Sequence, residues 1–350
     1  MSGGVDSSVA AYLMKQRGFD CIGVTMKLFA NEDIGISREH SCCSLDDVED
    51  ARSVAYSLDM PYYVFNFSDR FETDVIDRFI HAYENGITPN PCIDCNRYLK
   101  FDKLYMRAKE LDRDYVVTGH YARVEKDENG RFLLKKALDN TKDQSYVLYC
   151  LTQEQLRHTI FPLGEMRKSQ AREIAESQGF INARKADSQD ICFVQNGSYV
   201  DFIEQYTGKN YPDGDFLDTN GNIIGRHKGV IRYTVGQRKG LGISAPEPLY
   251  VKAVNRVSNT VTLSYNDGLY SSIVKAGDIN LISVPEIKGE MRVKAKVRYR
   301  HTEQWATVTQ NGDTITAVFD EPQRAVTCGQ ALVLYDGDTV VGGGTIIEVE

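Results

Sequence analysis

The period of the apolar residues changes once along this chain, near residue 210, and that change restricts it to a two-part architecture. Before it, β-rich apolar runs alternate with amphipathic helical patterns, which is the signature of parallel βαβ units. Val9, Tyr12 and Leu13 share one helical face, and Gly18 is the stop. The run "FDCIGVTMKLF" reads as a buried strand. "SLDDVEDARSVAYSLDM" predicts a helix with Ser44 as N-cap and Val48, Ala51, Ala55 and Leu58 on its apolar face. "PYYVFNF" follows as a strand, "RFETDVIDRFIHAYENG" as a helix ending at Gly86, and "YVVTGHYA" as one more strand. The class is α/β, a doubly wound parallel sheet. After residue 210, short β-rich runs are broken by "PDGD", "TNGN", "NGD" and "DGD", so two small β-rich domains follow. The expected division is 1–200 for the catalytic domain, 201–270 for a central β-rich domain and 271–350 for a C-terminal barrel-like domain.

A length of 350 residues suits several domains, and 42% hydrophobic with 26% charged residues excludes a disordered chain. No apolar run approaches the ~18 residues that span a bilayer, and the start lacks a signal peptide. The expectation is a cytoplasmic protein with no membrane contact. A net charge of −8 argues against a general nucleic-acid binder, so local charge decides. Eight cysteines are too sparse for a disulfide scaffold; in a reducing compartment clustered ones are metal-binding or catalytic.

The chain opens "MSGGVDSSVAAYL". Small residues let backbone N–H groups close on phosphate oxygens, and a helix N-terminus adds positive potential. Ser2, Gly3, Gly4, Ser7 and Ser8 suit that task, and Asp6 suits Mg2+ held against phosphate. There is neither a Walker lysine nor a GxGxxG fingerprint, and a plain Gly-Ser turn capping a helix is the simpler alternative. Cys92 and Cys95 form a CxxC in "TPNPCIDCNRYLKF", directly before a helix, where a thiol is more acidic. Cys192 stands far off in "DSQDICFV". With Cys42 and Cys43 the CxxC could instead build structural zinc, and Cys21, Cys150 and Cys328 read as small buried residues.

"SGGVDSS" resembles the PP-loop of the ATP pyrophosphatases, which adenylate a carbonyl oxygen. With "TPNPCIDCN", "TGHYAR", "KDQSYVL", "DSQDICF", "GQRKGLGI" and "AVTCGQ" in order, the chain is similar throughout to the tRNA-specific 2-thiouridylases, tRNA-uridine 2-sulfurtransferases of that superfamily. The resemblance implies ATP and Mg2+ at Ser2, Gly3, Gly4, Val5, Asp6 and Ser7, with Met26 and Gly119 at the adenosine. It implies adenylation of the wobble uracil O2, a persulfide on Cys192 supplied by a cysteine desulfurase or a relay protein, and Cys95 as second thiol, leaving a Cys95–Cys192 disulfide to be reduced each cycle. It implies tRNA, the Lys, Glu and Gln acceptors, at Asn90, Pro91, Cys92, His120, Lys142, Asp143, Gln144, Arg298, Tyr299 and Gln330.

Two departures stand out. Many relatives carry Asp at the position of Cys92, so Cys92, Cys95 and Cys192 would also suit an iron–sulfur cluster. A loop of this kind should follow a central strand, yet it starts the chain, so an N-terminal strand is expected upstream. Other readings are a PP-loop ligase delivering ammonia and a non-catalytic RNA-binding protein with zinc. For RNA itself, residues 219–246 contain no acid but carry Arg226, Lys228, Arg232, Arg238 and Lys239. In "RVKAKVRYR", Arg292, Lys294, Lys296, Arg298 and Arg300 alternate, so one strand would space them about 6.6 Å apart on one face.

Overall fold

The computed structural model describes residues 1–29, 45–187, 191–194 and 198–350. The N-cap expected at Ser44, and Cys42 and Cys43, lie outside these residues. The chain divides into two compact units, one of residues 1–76, 91–206 and 338–340, the other of residues 77–90, 207–337 and 341–350.

The first unit begins with helix α1, Val5–Gln16, whose buried face is Val5, Ser8, Val9, Ala10, Ala11 and Met14. Gly18 ends it as expected, at φ +82°, with Gly18 N–H on Lys15 O and Phe19 N–H on Met14 O. These two bonds satisfy carbonyls that the last turn would otherwise leave open. Strand β1, Gly23–Lys27, pairs in parallel with β2, Tyr62–Asn66, and α2, Leu45–Ser57, connects them. Strand β3, Val116–Val117, pairs in parallel with β6, Thr159–Ile160, and β4, Ala122–Lys126, makes a hairpin with β5, Phe132–Lys136. The expected single strand "YVVTGHYA" is therefore two. Between the two, Gly119 passes close to α1; a Cβ there would lie 2.6 Å from the Asp6 carbonyl carbon. Val5, Val9, Val54, Tyr121, Leu163, Ala171 and Phe180 fill the core beneath.

Two helical runs in this unit widen to π geometry, at Glu72–Ile76 and, over nine residues, at Cys95–Lys103. Such turns are uncommon and concentrate at functional sites. The second starts at a cysteine of the CxxC.

In the second unit, β7 (Gly214–Leu217), β8 (Ile223–His227), β9 (Tyr250–Asn255) and β10 (Thr260–Ser264) form a sheet in the order β8-β7-β10-β9 over Phe216, Tyr233, Val251, Val261 and Leu263. Strands β11 (Tyr270–Leu281), β12 (Met291–Lys296), β13 (Gln304–Asn311), β14 (Thr314–Arg324), β15 (Ala331–Asp336) and β16 (Thr339–Val349) follow. Their order β11-β14-β13-β12-β15-β16 closes through a β11–β16 pairing, so a barrel results. One correction concerns the basic alternation: β12 ends at Lys296, and Arg298 begins a turn closed by His301 N–H on Arg298 O. Only Arg292, Lys294 and Lys296 share a strand face; Arg298 and Arg300 leave it.

Candidate active site

Residues 2–8 form a tight loop around the start of α1. Gly3 adopts φ +70°, and a Cβ on it would stand 2.5 Å from Asp47 O, so neither conformation nor space admits a side chain. Ser7 Oγ and Ser8 Oγ donate to Gly4 O at 3.0 and 3.1 Å, and Ser7 Oγ accepts from Ser2 N–H. Asn182, 3% exposed, donates from Nδ2 to Gly3 O and Ser8 Oγ, both at 2.9 Å. The first N–H groups of α1 lack acceptors within the helix, and its N-terminal end is electropositive. An anion is the ligand such a cradle fits. Met26 lies on β1, whose Val24 and Thr25 meet Met1, and Gly119 closes against Asp6 and Ser7.

Asp6, in the first turn of α1, lies in a chain of charge. Lys168 Nζ donates to Asp6 Oδ1 at 2.8 Å and Oδ2 at 2.7 Å, and Tyr121 OH donates to Oδ1 at 2.9 Å. The same ammonium stands 2.8 Å from Asp187, which also accepts from Lys142 at 2.8 Å and Arg172 at 3.0 Å. Burial pushes the Asp187 carboxyl up, but the bonds from Lys142 and Lys168 and their charges outweigh it and hold it at about 2. Burial, and then Asp6, raise the Tyr121 hydroxyl well above its ordinary range, so it stays a donor. Sequence reasoning missed Lys168, Asp187, Tyr121 and Asn182. Tyr121 and Asp187 stand in "TGHYAR" and "DSQDICF", but all four lie more than a hundred residues from the loop, and nothing local ties them to it.

Asp6 Oδ1 serves two donors and Oδ2 shares the Lys168 ammonium, so a Mg2+ beside it would face that positive charge. Among the described residues no group of three or more His, Cys, Asp or Glu is disposed to hold a metal, so the cluster expected of Cys92, Cys95 and Cys192 is not assembled.

Cys92 is exposed, Cys95 is buried and Cys192 is half-buried, all in the first unit. Phe193, next to Cys192, packs on Phe71 with ring centroids 5.6 Å apart. The helix Ser68–Phe71 packs in turn on the π-helix that starts at Cys95. Phe71 thus links the surroundings of the two cysteines. Cys150, by contrast, is fully buried, donates to Ile93 O and Val147 O, and burial pushes its thiol up to about 12. Cys328 is also raised by burial.

Residues 1–196 match the tRNA methyl transferase HUP domain family, residues 200–265 its PRC-barrel domain and residues 271–346 an aminomethyltransferase beta-barrel domain. The tRNA-specific 2-thiouridylase of Clostridioides difficile strain 630 is 52% identical over 99% of this chain and 96% of its own length. The chain belongs to the tRNA-specific 2-thiouridylase family. The 2-thiouridylase of Lachnoclostridium phytofermentans is 51% identical over 99% of this chain and 98% of its own. Among solved structures, NMN synthetase from Francisella tularensis gives a TM-score of 0.33 at 18% identity over 60% of this chain and 75% of that one, too slight a likeness for argument.

Of the residues that the 2-thiouridylase resemblance puts on tRNA, several have internal duties. In the first unit, His120 is 9% exposed between Phe101 and Phe161, each 5.9 Å away, with Nδ1 2.8 Å from Thr118 Oγ1. Lys142 is ion-paired to Asp187, Asp143 accepts from Ala137 N–H and Ser145, and Gln144 exchanges bonds with the Tyr121 backbone. Pro91 is buried and Cys92 exposed. In the second unit, Arg298 donates to Val235 O and Ala325 O, and Gln330 donates to Thr88 O and Pro89 O just ahead of Asn90. Tyr299 is 40% exposed.

Proposed function

We propose that this chain is a tRNA-uridine 2-sulfurtransferase that makes 2-thiouridine at the wobble position at the expense of ATP. What carries the reading is kinship over nearly the whole chain at 52% identity with curated 2-thiouridylases. An ammonia-delivering ligase or a zinc-bearing RNA binder has no such observation behind it.

The chemistry divides between the loop and the thiols. ATP lies with its phosphates on the N–H groups of residues 2–7 and its adenosine between Met26 and Gly119; Mg2+ bound with the nucleotide would offset the phosphate charge. Uracil O2 attacks the α phosphate and pyrophosphate leaves, so a poor leaving group becomes AMP. Cys192 carries a persulfide received from a desulfurase or relay protein. Its outer sulfur attacks C2, AMP departs, and the Cys95 thiolate attacks the Cys192 sulfur. The S–S pair passes to the transferred sulfur, which ends as the thiocarbonyl, while the two cysteines end as a disulfide that an external thiol reduces. The burial of Cys95 keeps water from that step, and exposed Cys92 meets the base.

Chemistry at O2 and C2 requires the uridine out of its stack, between Asn90, Pro91 and Cys92. Tyr299 meets the RNA directly. Gln330 holds the backbone ahead of Asn90, and Lys142, Asp143, Gln144, Arg298 and His120 set the segments around it. The test is nucleoside analysis after incubation with tRNA, ATP, a persulfide-loaded desulfurase and thiol. Wild type yields 2-thiouridine and AMP; Cys192→Ser and Cys95→Ser yield none. Thiolation undiminished in Cys192→Ser would sink the sulfur route.

A further inference from the structure

The peptide between Gly3 and Gly4 precedes α1, so the helix does not fix it. From Gly4 O onward the backbone is tied down: that carbonyl takes the Ser8 N–H at 3.3 Å and the hydroxyls of Ser7 and Ser8 at 3.0 and 3.1 Å. The earlier peptide has a glycine on each side, and glycine permits the rotation that would exchange its C=O for its N–H. One bond opposes that rotation. Asn182 Nδ2 donates to Gly3 O at 2.9 Å, and among the described residues no other donor reaches that carbonyl. The second Nδ2 proton goes to Ser8 Oγ at 2.9 Å, on the helix that the loop opens. The carboxamide stands on firm ground: Phe180 and Ala183 are buried in the core that takes in Val5 and Val9, and the Lys185 N–H closes a turn on Asn182 O at 3.0 Å. Its Oδ1 is buried without a partner among the described residues, so only the donor side holds it.

We propose that Asn182 is a positioning residue for the nucleotide's phosphates, locking the Gly3–Gly4 peptide with its N–H toward them. A peptide is planar and trans, so its C=O and N–H point opposite ways. Gly3 O turned to Asn182 sends the Gly4 N–H to the other side, where no acceptor among the described residues meets it. Released from Asn182, the peptide can turn over and offer the phosphate a carbonyl oxygen in place of a proton. An attraction becomes a repulsion with α1 unchanged. Gly4 sits at φ −93° and ψ 162°, a conformation open to any residue, and a Cβ on it would have Ser2 Oγ nearest, at 3.6 Å. Turning the peptide over would carry that φ to positive values, which a side chain resists. The inference rests on the reading of this enzyme as a user of ATP.

The test separates the two. Binding of α,β-methylene ATP, which resists cleavage, and of adenosine, which has no phosphate, is measured by calorimetry on the full chain. Loss of one charge-assisted bond should weaken the analogue about 10- to 100-fold in Asn182→Leu, a change of similar size, while adenosine changes less than about two-fold. Asn182→Ala should show the same discrimination. A Gly4→Ala background should rescue the variant, because the added side chain holds φ negative; there Asn182→Leu should cost the analogue less than about three-fold. A prop lost from beneath the loop would not be restored by a methyl group on Gly4. Equal weakening of both ligands, no weakening of the analogue, or an undiminished loss in the Gly4→Ala background would each overturn the proposal. A wild type that binds adenosine but not the analogue, or neither, would bring down the ATP reading instead.

Discussion

The barrel and the glycine loop are held by opposite means. In the barrel, Val274 and Ala276, Val293 and Ala295, Ala306 and Val308, Ile315, Ala317 and Phe319, and Leu332 and Leu334 alternate inward along five strands into one apolar core. Around the loop, above the apolar core that takes in Val5 and Val9, Asp6, Lys168, Asp187, Lys142 and Arg172 form a continuous run of charge. The first arrangement is local and repetitive. The second is built from single residues drawn from four parts of the sequence. A core spreads its stabilisation over many small contacts, whereas a charge chain concentrates it in a few bonds whose loss leaves a charge unpaired.

The largest effect should therefore come from a cavity in the barrel that leaves the loop's chemistry alone. Leu334 is fully buried, and Leu334→Ala should destabilise by about 2–5 kcal/mol through lost contacts and an unfilled void. Chemical denaturation checks the loss, and calorimetry at 25 °C checks that the folded protein binds α,β-methylene ATP within about two-fold of wild type. A variant as stable as wild type would show that the barrel does not depend on that core.

The same contrast explains what the sequence disclosed. Turn signals such as "NGD" and "DGD" between β-rich runs made the barrel region legible, and Gly18 marked the end of α1 because only its left-handed backbone closes the cap. The glycine loop announced its ligand class through residue size alone. Charge pairing did not announce itself: nothing in the sequence shows that Lys142 meets Asp187 or that Lys185 meets Asp47 and Asp50. Alternation also misled once, because "RVKAKVRYR" keeps its period past the point where the strand ends at Lys296 and the chain turns. A pattern of side chains cannot report where the backbone stops pairing.

His120 gives an effect of middle size, in the first unit. Burial pushes its pKa well below the ordinary value, with the Lys100 charge adding to it, so the folded ring stays neutral. The unfolded chain takes up its proton near pH ~6.5 and the folded one does not. The stability contributed is complete above that pH and is lost progressively as pH falls from there toward the lower folded pKa, by at most about 1.4 kcal/mol per pH unit. His120→Phe, which suits the space between Phe101 and Phe161, should flatten this slope. Denaturation midpoints at about pH 8, 6 and 5 for both proteins isolate the term, since the other histidines cancel in the difference. Parallel slopes would mean that the buried ring titrates normally.

The smallest effect on stability belongs to the barrel's outer face. Arg292 pairs with Asp320, its Nη1 2.6 Å from Oδ1, and lies over the Trp305 ring at 5.2 Å; both partners are nearly half exposed. Water screens such a pair, and holding two long side chains in register opposes it. Arg292→Gln should leave the denaturation midpoint where it is. Its neighbours test whether that face meets RNA. Lys294 stands 5.4 Å from Trp305 and Lys296 5.6 Å from Tyr335, with aromatic faces rather than carboxylates beneath them. If the strand lies along a phosphate backbone, Lys294→Gln should lower the slope of log affinity for tRNA against log salt by about one, and Arg292→Gln by less, because Asp320 already offsets its charge. Equal slopes in all three proteins would remove β12 from the RNA surface. A loss of stability in Arg292→Gln comparable to that in Leu334→Ala would break the contrast between a core held by burial and a surface held by almost nothing.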